Sequence, residues 1–266
     1  MKLTDMPARA HTPVIMAAVV AGVALAACDS TQAEHATPDA YAYPGTVLWF
    51  TADHPTVREP GDVVDVGREP ESLPPFVLDF DPDGLRYADG QVGEAACLLP
   101  GSEFALRLDP SLDLAQPMDY RRKSLAFWVR PEALTTEPTP IFTAIHGPNA
   151  GMQITVDVEN TTLHAWDDNR NWHQTISQGA LTENDWTHLA LTLNAAHVDA
   201  ARDGLRFYVD GHSGEPATAK IIMDQQGRLV FHAHGDAAVC FDEVALYMDA
   251  LTGESVRDLY RYGLDH

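Results

Sequence analysis

Two tryptophans bracket the stretch with the clearest chemical potential, Trp166-Asp167-Asp168-Asn169-Arg170-Asn171-Trp172. Indole rings stack on the C–H faces of sugars, while Asp, Asn and Arg side chains exchange hydrogen bonds with hydroxyls. Trp166, Asp168, Asn169, Arg170 and Trp172 therefore form a candidate ligand-binding set. Trp166 shares an alternating register with Thr162 and His164, which puts it on the more polar face of a strand. The competing reading is a hairpin whose tryptophans pack on a sheet edge.

A second cluster is acidic: Asp79, Asp81 and Asp83, followed by Gly84, with Asp89 further on. Carboxylates at alternate positions ahead of a glycine resemble the first half of an EF-hand-type calcium loop, whose oxygens converge on one ion. The twelfth position is Gly90 rather than Glu, and no helix pattern flanks the segment, so the alternative is an acidic surface turn. His232 and His234 stand two apart and would share one strand face, either as half of a zinc or copper site or as two exposed strand histidines.

The elements that must carry these residues are strands. Leu125, Phe127 and Val129 alternate with Ala126, Trp128 and Arg130, and Leu189, Leu191 and Leu193 alternate with Ala190 and Thr192. Ile154-Val156-Val158 and Leu205-Phe207-Val209 repeat the pattern. A period of two predicts strands with one buried and one more polar face, as in antiparallel sheets packed face to face. Asp210-Gly211 directly after a strand predicts a tight hairpin. Trp49, Trp128 and Trp186 sit in apparent core strands and read as packing. One short helix is predicted near the C-terminus, capped by Thr252, with Glu254 at its positive end, Val256, Leu259 and Tyr260 on one face, and Gly263 to stop it in under three turns. No internal repeat or central linker appears, so residues 45–266 read as one domain.

The N-terminus reads as an address. Lys2 and Arg9 precede an apolar run from Val14 to Ala27, too short to span a bilayer and suited to a signal segment. The run ends in Leu25-Ala26-Ala27-Cys28, which resembles a bacterial lipobox and implies cleavage after residue 27 and lipidation of Cys28. The alternative is an ordinary signal peptide with Cys28 an idle thiol. Residues 28–44 are polar and rich in Ala, Pro and Thr, the composition of a flexible tether. The expected location is thus the bacterial cell envelope, lipid-anchored on the periplasmic face or the cell surface. A formal net charge of −22 repels phosphate backbones and argues against nucleic-acid partners. Cys97 and Cys240 lie in apparent strands of an exported chain, and are either a disulfide or two separate buried thiols.

Trp186-Thr187-His188-Leu189-Ala190, Tyr208-Val209-Asp210-Gly211 and Phe241-Asp242-Glu243-Val244-Ala245-Leu246-Tyr247 follow one another in an order that resembles the laminin-G-like members of the concanavalin A-like lectin/glucanase superfamily. Ser124 to Pro131 and Gly93-Glu94-Ala95-Ala96 add to the likeness. The resemblance implies an all-β fold, a two-sheet antiparallel jelly-roll sandwich, of a kind that often binds calcium at a rim of loops. Glucanases of the superfamily carry Glu-x-Asp-x-x-Glu on one strand, and the nearest approach here, Glu183-Asn184-Asp185-Trp186-Thr187-His188, lacks the second carboxylate and reads as a turn. The expected role is non-catalytic recognition of a glycan or another envelope or extracellular ligand, calcium-assisted if the aspartates bind. The alternatives are an adhesive envelope component with protein partners only and, remotely, a carbohydrate-active enzyme.

Overall fold

The computed structural model describes residues 46–50, 52, 63–64, 76–108, 122–145, 149–168, 171–194, 204–218, 228–233, 235–247 and 249–266. Cys28, Asn169, Arg170 and His234 lie outside these residues, as do the leader and tether read over 1–44.

Two antiparallel sheets, each of eight strands among the described residues, face one another. The first runs β14 (His212–Ser213), β13 (Leu205–Val209), β12 (Thr187–Asn194), β7 (Arg122–Pro131), β16 (Val239–Tyr247), β5 (Glu94–Leu98) and β4 (Leu85–Asp89), with β1 (Thr46–Phe50) also paired to β16. The second runs β11 (Trp172–Gly179), β10 (Asn160–Asp167), β9 (Ala150–Val156), β8 (Thr139–Ile145), β15 (Arg228–His232), β6 (Glu103–Leu108), β3 (Phe76–Phe80) and β2 (Val63–Val64). This is the expected jelly-roll sandwich. Between the sheets, Leu125, Phe127 and Val129 of β7 and Leu189, Leu191 and Leu193 of β12 meet Phe142, Ile154, Leu163 and Phe231. Phe231 is the hub of an aromatic cluster, stacked on Phe104 at 4.6 Å between centroids and edge-on to Phe241 at 5.0 Å. These are the offset and T-shaped geometries that ring quadrupoles favour.

The expectation of one polar face per strand holds for β10, where inward Thr161, Leu163 and Ala165 alternate with half-buried Thr162, His164 and Trp166. It fails for β7, β12 and β16, which are buried on both faces. The cause is α1 (Gly253–Asp265), which lays Val256 and Leu259 on the outer face of the first sheet, against Ala126, Ala190, Tyr208, Ala245 and Tyr247. Thr252 caps α1 as expected, its hydroxyl accepting from the Ser255 amide at 3.1 Å. The predicted stop at Gly263 is corrected: α1 is 13 residues long and runs through Gly263. A Cβ at Gly263 would lie 2.6 Å from the indole nitrogen of Trp128, so this glycine serves close helix–sheet approach rather than a left-handed cap.

Cys97 and Cys240 face each other in register across β5 and β16 and are joined by a disulfide, with Cα atoms 3.9 Å apart. Ala88 and Trp186 pack over the bridge, and the Arg130 guanidinium lies 4.7 Å from the Trp186 ring centroid. Close by, β16 slips register between Asp242 and Ala245, with Glu243 at φ 49°. The buried Asp242 carboxylate accepts from the amides of Gln91, Val92 and Glu243 at 2.8–2.9 Å, tying the β4–β5 turn to this bulge.

Candidate functional site

With α1 seated on the first sheet, the contrasting surface is the outer face of the second. Strand alternation sends Thr162, His164 and Trp166 of β10 outward, and the same parity exposes His173, Thr175 and Ser177 on β11. Gly151, Gln153 and Thr155 of β9 and Thr143 of β8 continue the surface. The residues are mostly uncharged and able to donate and accept.

They are also held in place. His164 lies between two hydroxyls, its Nε2 3.3 Å from Thr155 Oγ1 and its Nδ1 3.5 Å from Thr175 Oγ1. A hydroxyl serves as donor or acceptor, so either neutral tautomer fits, and burial pushes the His164 pKa below its ordinary value. Thr162 and Ser177 pair at 3.0 Å. Gln153 Nε2 donates to Thr143 Oγ1 at 3.4 Å, and His232 Nε2 approaches the same oxygen at 3.2 Å. At the far side Glu103 sits 3.5 Å from His232 Nδ1 and accepts from Arg228 at 3.0 Å, and Asp79 pairs with Arg107 at 3.3 Å. His232 is therefore a partly buried member of this network rather than an exposed strand histidine.

Trp166 lies down on this surface. Its register partner on β9 is Gly151, and a Cβ there would be 2.7 Å from Trp166 Cζ2. The missing side chain makes the berth for the indole. Asp168, expected to bind ligand, is exposed and 3.2 Å from His173 Nε2.

Trp172 does not join Trp166, which corrects the two-indole site. Residues directly opposite in an antiparallel hairpin share a face: Trp172 pairs with buried Asp167, and Trp166 with His173. Trp172 is 4% exposed and belongs to the core. The four aspartates do not form one site either. Asp79 is engaged by Arg107, and Asp81 caps the short turn Pro82–Gly84 by accepting from the Asp83 amide at 3.0 Å. Asp89 ends β4 opposite Glu94. Among the described residues no three His, Cys, Asp or Glu side chains are grouped to hold a metal ion.

The stretch from Glu183 is a turn leading into β12. Glu183 accepts from the Leu134 amide at 2.8 Å, and Asn184 takes φ 62°. His188 lies inside the strand with no exposed surface, its ring centroid 5.2 Å from that of Trp128. Neither ring nitrogen has a hydrogen-bond partner among the described residues, and burial pushes its pKa down to about 3. It is a packing residue under α1.

Sequence reasoning passed over Gly151, Gln153, Thr155, Thr175 and Thr143. The available signal was the run of Thr, Gln, His and Ser at outward positions of successive strands, which becomes a surface only once strand order is known.

The family model described as the concanavalin A-like lectin/glucanases superfamily matches residues 110–257, more than half of the chain. Solved structures share the fold at low identity. One is the binding domain of Paraclostridial Mosquitocidal Protein 1, with TM-score 0.60, 16% identity, 82% of this chain and 52% of that one. Another is the binding domain of Botulinum Neurotoxin DC in complex with SialylT, with TM-score 0.62, 12% identity, and coverage of 83% and 52%. The same neurotoxin domain in complex with rat synaptotagmin II gives 0.61, 12%, 82% and 52%. This chain thus spans about half the length of these structures. No curated protein sequence matches it.

Proposed function

We propose that this chain, which belongs to the concanavalin A-like lectin/glucanases superfamily, is a recognition domain that binds a glycan on the outer face of its second sheet without chemical turnover. The observation that carries this reading is Trp166, bedded over Gly151 amid side chains that hydrogen-bond across strands. An aromatic platform ringed by fixed neutral donors and acceptors is the chemistry that sugars require. Among the described residues, the carboxylates on this face, Asp79, Glu103 and Asp168, are each engaged by Arg or His, whereas retaining hydrolysis uses a pair about 5 Å apart. The structural neighbours include a toxin binding domain in complex with SialylT and with synaptotagmin II, which supports a glycan or protein partner. Anchored through Cys28 and a tether, the domain would be displayed at the bacterial envelope; Cys28→Ser should release it from membranes.

The test is a glycan array with the purified protein and with Trp166→Ala. Wild-type binding that disappears in the folded variant supports the reading. No bound glycan, or binding that Trp166→Ala leaves at full strength, overturns it.

A further inference from the structure

We infer that the ligand is an uncharged, linear oligosaccharide lying across the strands of the second sheet over the row Thr175, His164, Gln153 and Thr143; this rests on the glycan-binding reading above.

The row follows from strand register. Thr175 is paired with His164, His164 with Gln153, and Gln153 with Thr143, so four outward side chains stand side by side on four neighbouring strands, β11 to β8. The next partner in the row is buried Val230 on β15, which ends the polar line. Three strand spacings of about 4.8 Å make the row ~14 Å long, the span of roughly three linked pyranose rings. Trp166 lies two residues along β10 from His164 and flanks the row, so a sugar seated over the β10–β9 part meets both the indole and the imidazole.

Charge selects among glycans. No Lys, Arg, Asp or Glu occurs in the row, and His164 sits between two hydroxyls. Among the described residues, the guanidinium groups on the same face are engaged: Arg228 with Glu103 and Arg107 with Asp79. A sialylated, sulfated or uronic-acid-bearing glycan would bring an anion to a surface with no cation in the row, on a chain of net charge −22. Desolvating that anion without a partner charge is unfavourable, and the field of the whole molecule adds to the repulsion. Neutral hydroxyls meet no such barrier.

The experiment is titration calorimetry on the full chain with two probe sets. The first is neutral gluco-, xylo- and manno-oligosaccharides of two to five units; the second is lactose beside 3′-sialyllactose. Affinity should rise at least fivefold from two units to three in one neutral series and change less than twofold thereafter. Lactose should bind no more weakly than 3′-sialyllactose. Thr143→Val, which keeps the side-chain shape but also frees Gln153 Nε2, should remove the gain from the third unit, a larger loss than any it causes for the disaccharide. Tighter binding of 3′-sialyllactose, affinity that is flat with length, or equal losses for the disaccharide and trisaccharide in Thr143→Val would each overturn the inference. Tighter binding of 3′-sialyllactose that still depends on Trp166 would overturn it while leaving glycan recognition standing; absence of any bound glycan would overturn both.

Discussion

The benzene ring of Trp166 occupies the space that a side chain on Gly151 would fill: a Cβ at Gly151 would stand 2.7 Å from Cζ2 of the indole and 2.7 Å from the carbonyl oxygen of Ala144. Gly151→Ala should therefore lift the indole off the sheet. Overpacking of this kind costs about 1–3 kcal/mol, and glycan binding should fall with it. Tryptophan fluorescence, urea titration and the glycan array read the three effects. An unchanged emission spectrum and unchanged binding would show that the berth does not matter.

Gly263 stands in the same relation to Trp128 on the opposite side of the molecule. Gly263→Ala puts a Cβ within 2.6 Å of the indole nitrogen, which forces α1 away from the sheet. The expected destabilisation is about 1–3 kcal/mol by chemical denaturation. Gly179→Ala is the control, because nothing lies within 4 Å of a Cβ there. That variant should differ from wild type by about 0.5 kcal/mol or less.

His188 makes stability depend on pH. Folded, it remains neutral down to about pH 3, whereas the unfolded chain binds a proton below about 6.5. Its contribution is fully present above pH 6.5 and is lost as pH falls from there toward 3, because the unfolded state holds the extra proton. The slope from this one group is up to about 1.4 kcal/mol per pH unit. His188→Phe keeps a ring against Trp128 and removes the titration. Urea titrations at pH 7 and pH 5 should show a smaller acid loss in His188→Phe than in wild type; equal losses would contradict the assignment.

The Cys97–Cys240 bridge closes a loop with a sequence separation of 143 residues. Removing a native disulfide typically costs about 2–5 kcal/mol. The double variant Cys97→Ala, Cys240→Ala should lose stability in that range. In the wild-type protein, denatured without reductant, thiol titration should find neither cysteine free.

Asp81 caps the turn at Pro82–Gly84, and calcium is not needed to explain it. Asp81→Ala should cost about 0.5–2 kcal/mol, as the loss of a side-chain cap does. Millimolar calcium should leave the wild-type melting temperature where chelator leaves it. A calcium-dependent rise that Asp81→Ala abolishes would restore the metal reading of Asp79, Asp81, Asp83 and Asp89.

By itself the sequence determined the sandwich. Alternation in Leu125-Phe127-Val129 and Leu189-Leu191-Leu193 is a local property of strands that turn one face to the core between two sheets, and Thr252 at a helix start or Asp210-Gly211 at a hairpin acts within a few residues. Such features need no knowledge of the rest of the chain. What tertiary structure decided was everything that depends on which strand lies beside which. Pairing of β10 with β11 sent Trp166 and Trp172 to opposite faces, although both read as one aromatic motif in the chain. Strand order brought Thr143, Gln153, His164 and Thr175 into one row from four separate segments. Docking of α1 buried His188 and turned Gly263 from a helix stop into a contact surface. A spacing along the chain fixes which way a side chain points within its own element; what it meets there depends on neighbours that are distant in sequence.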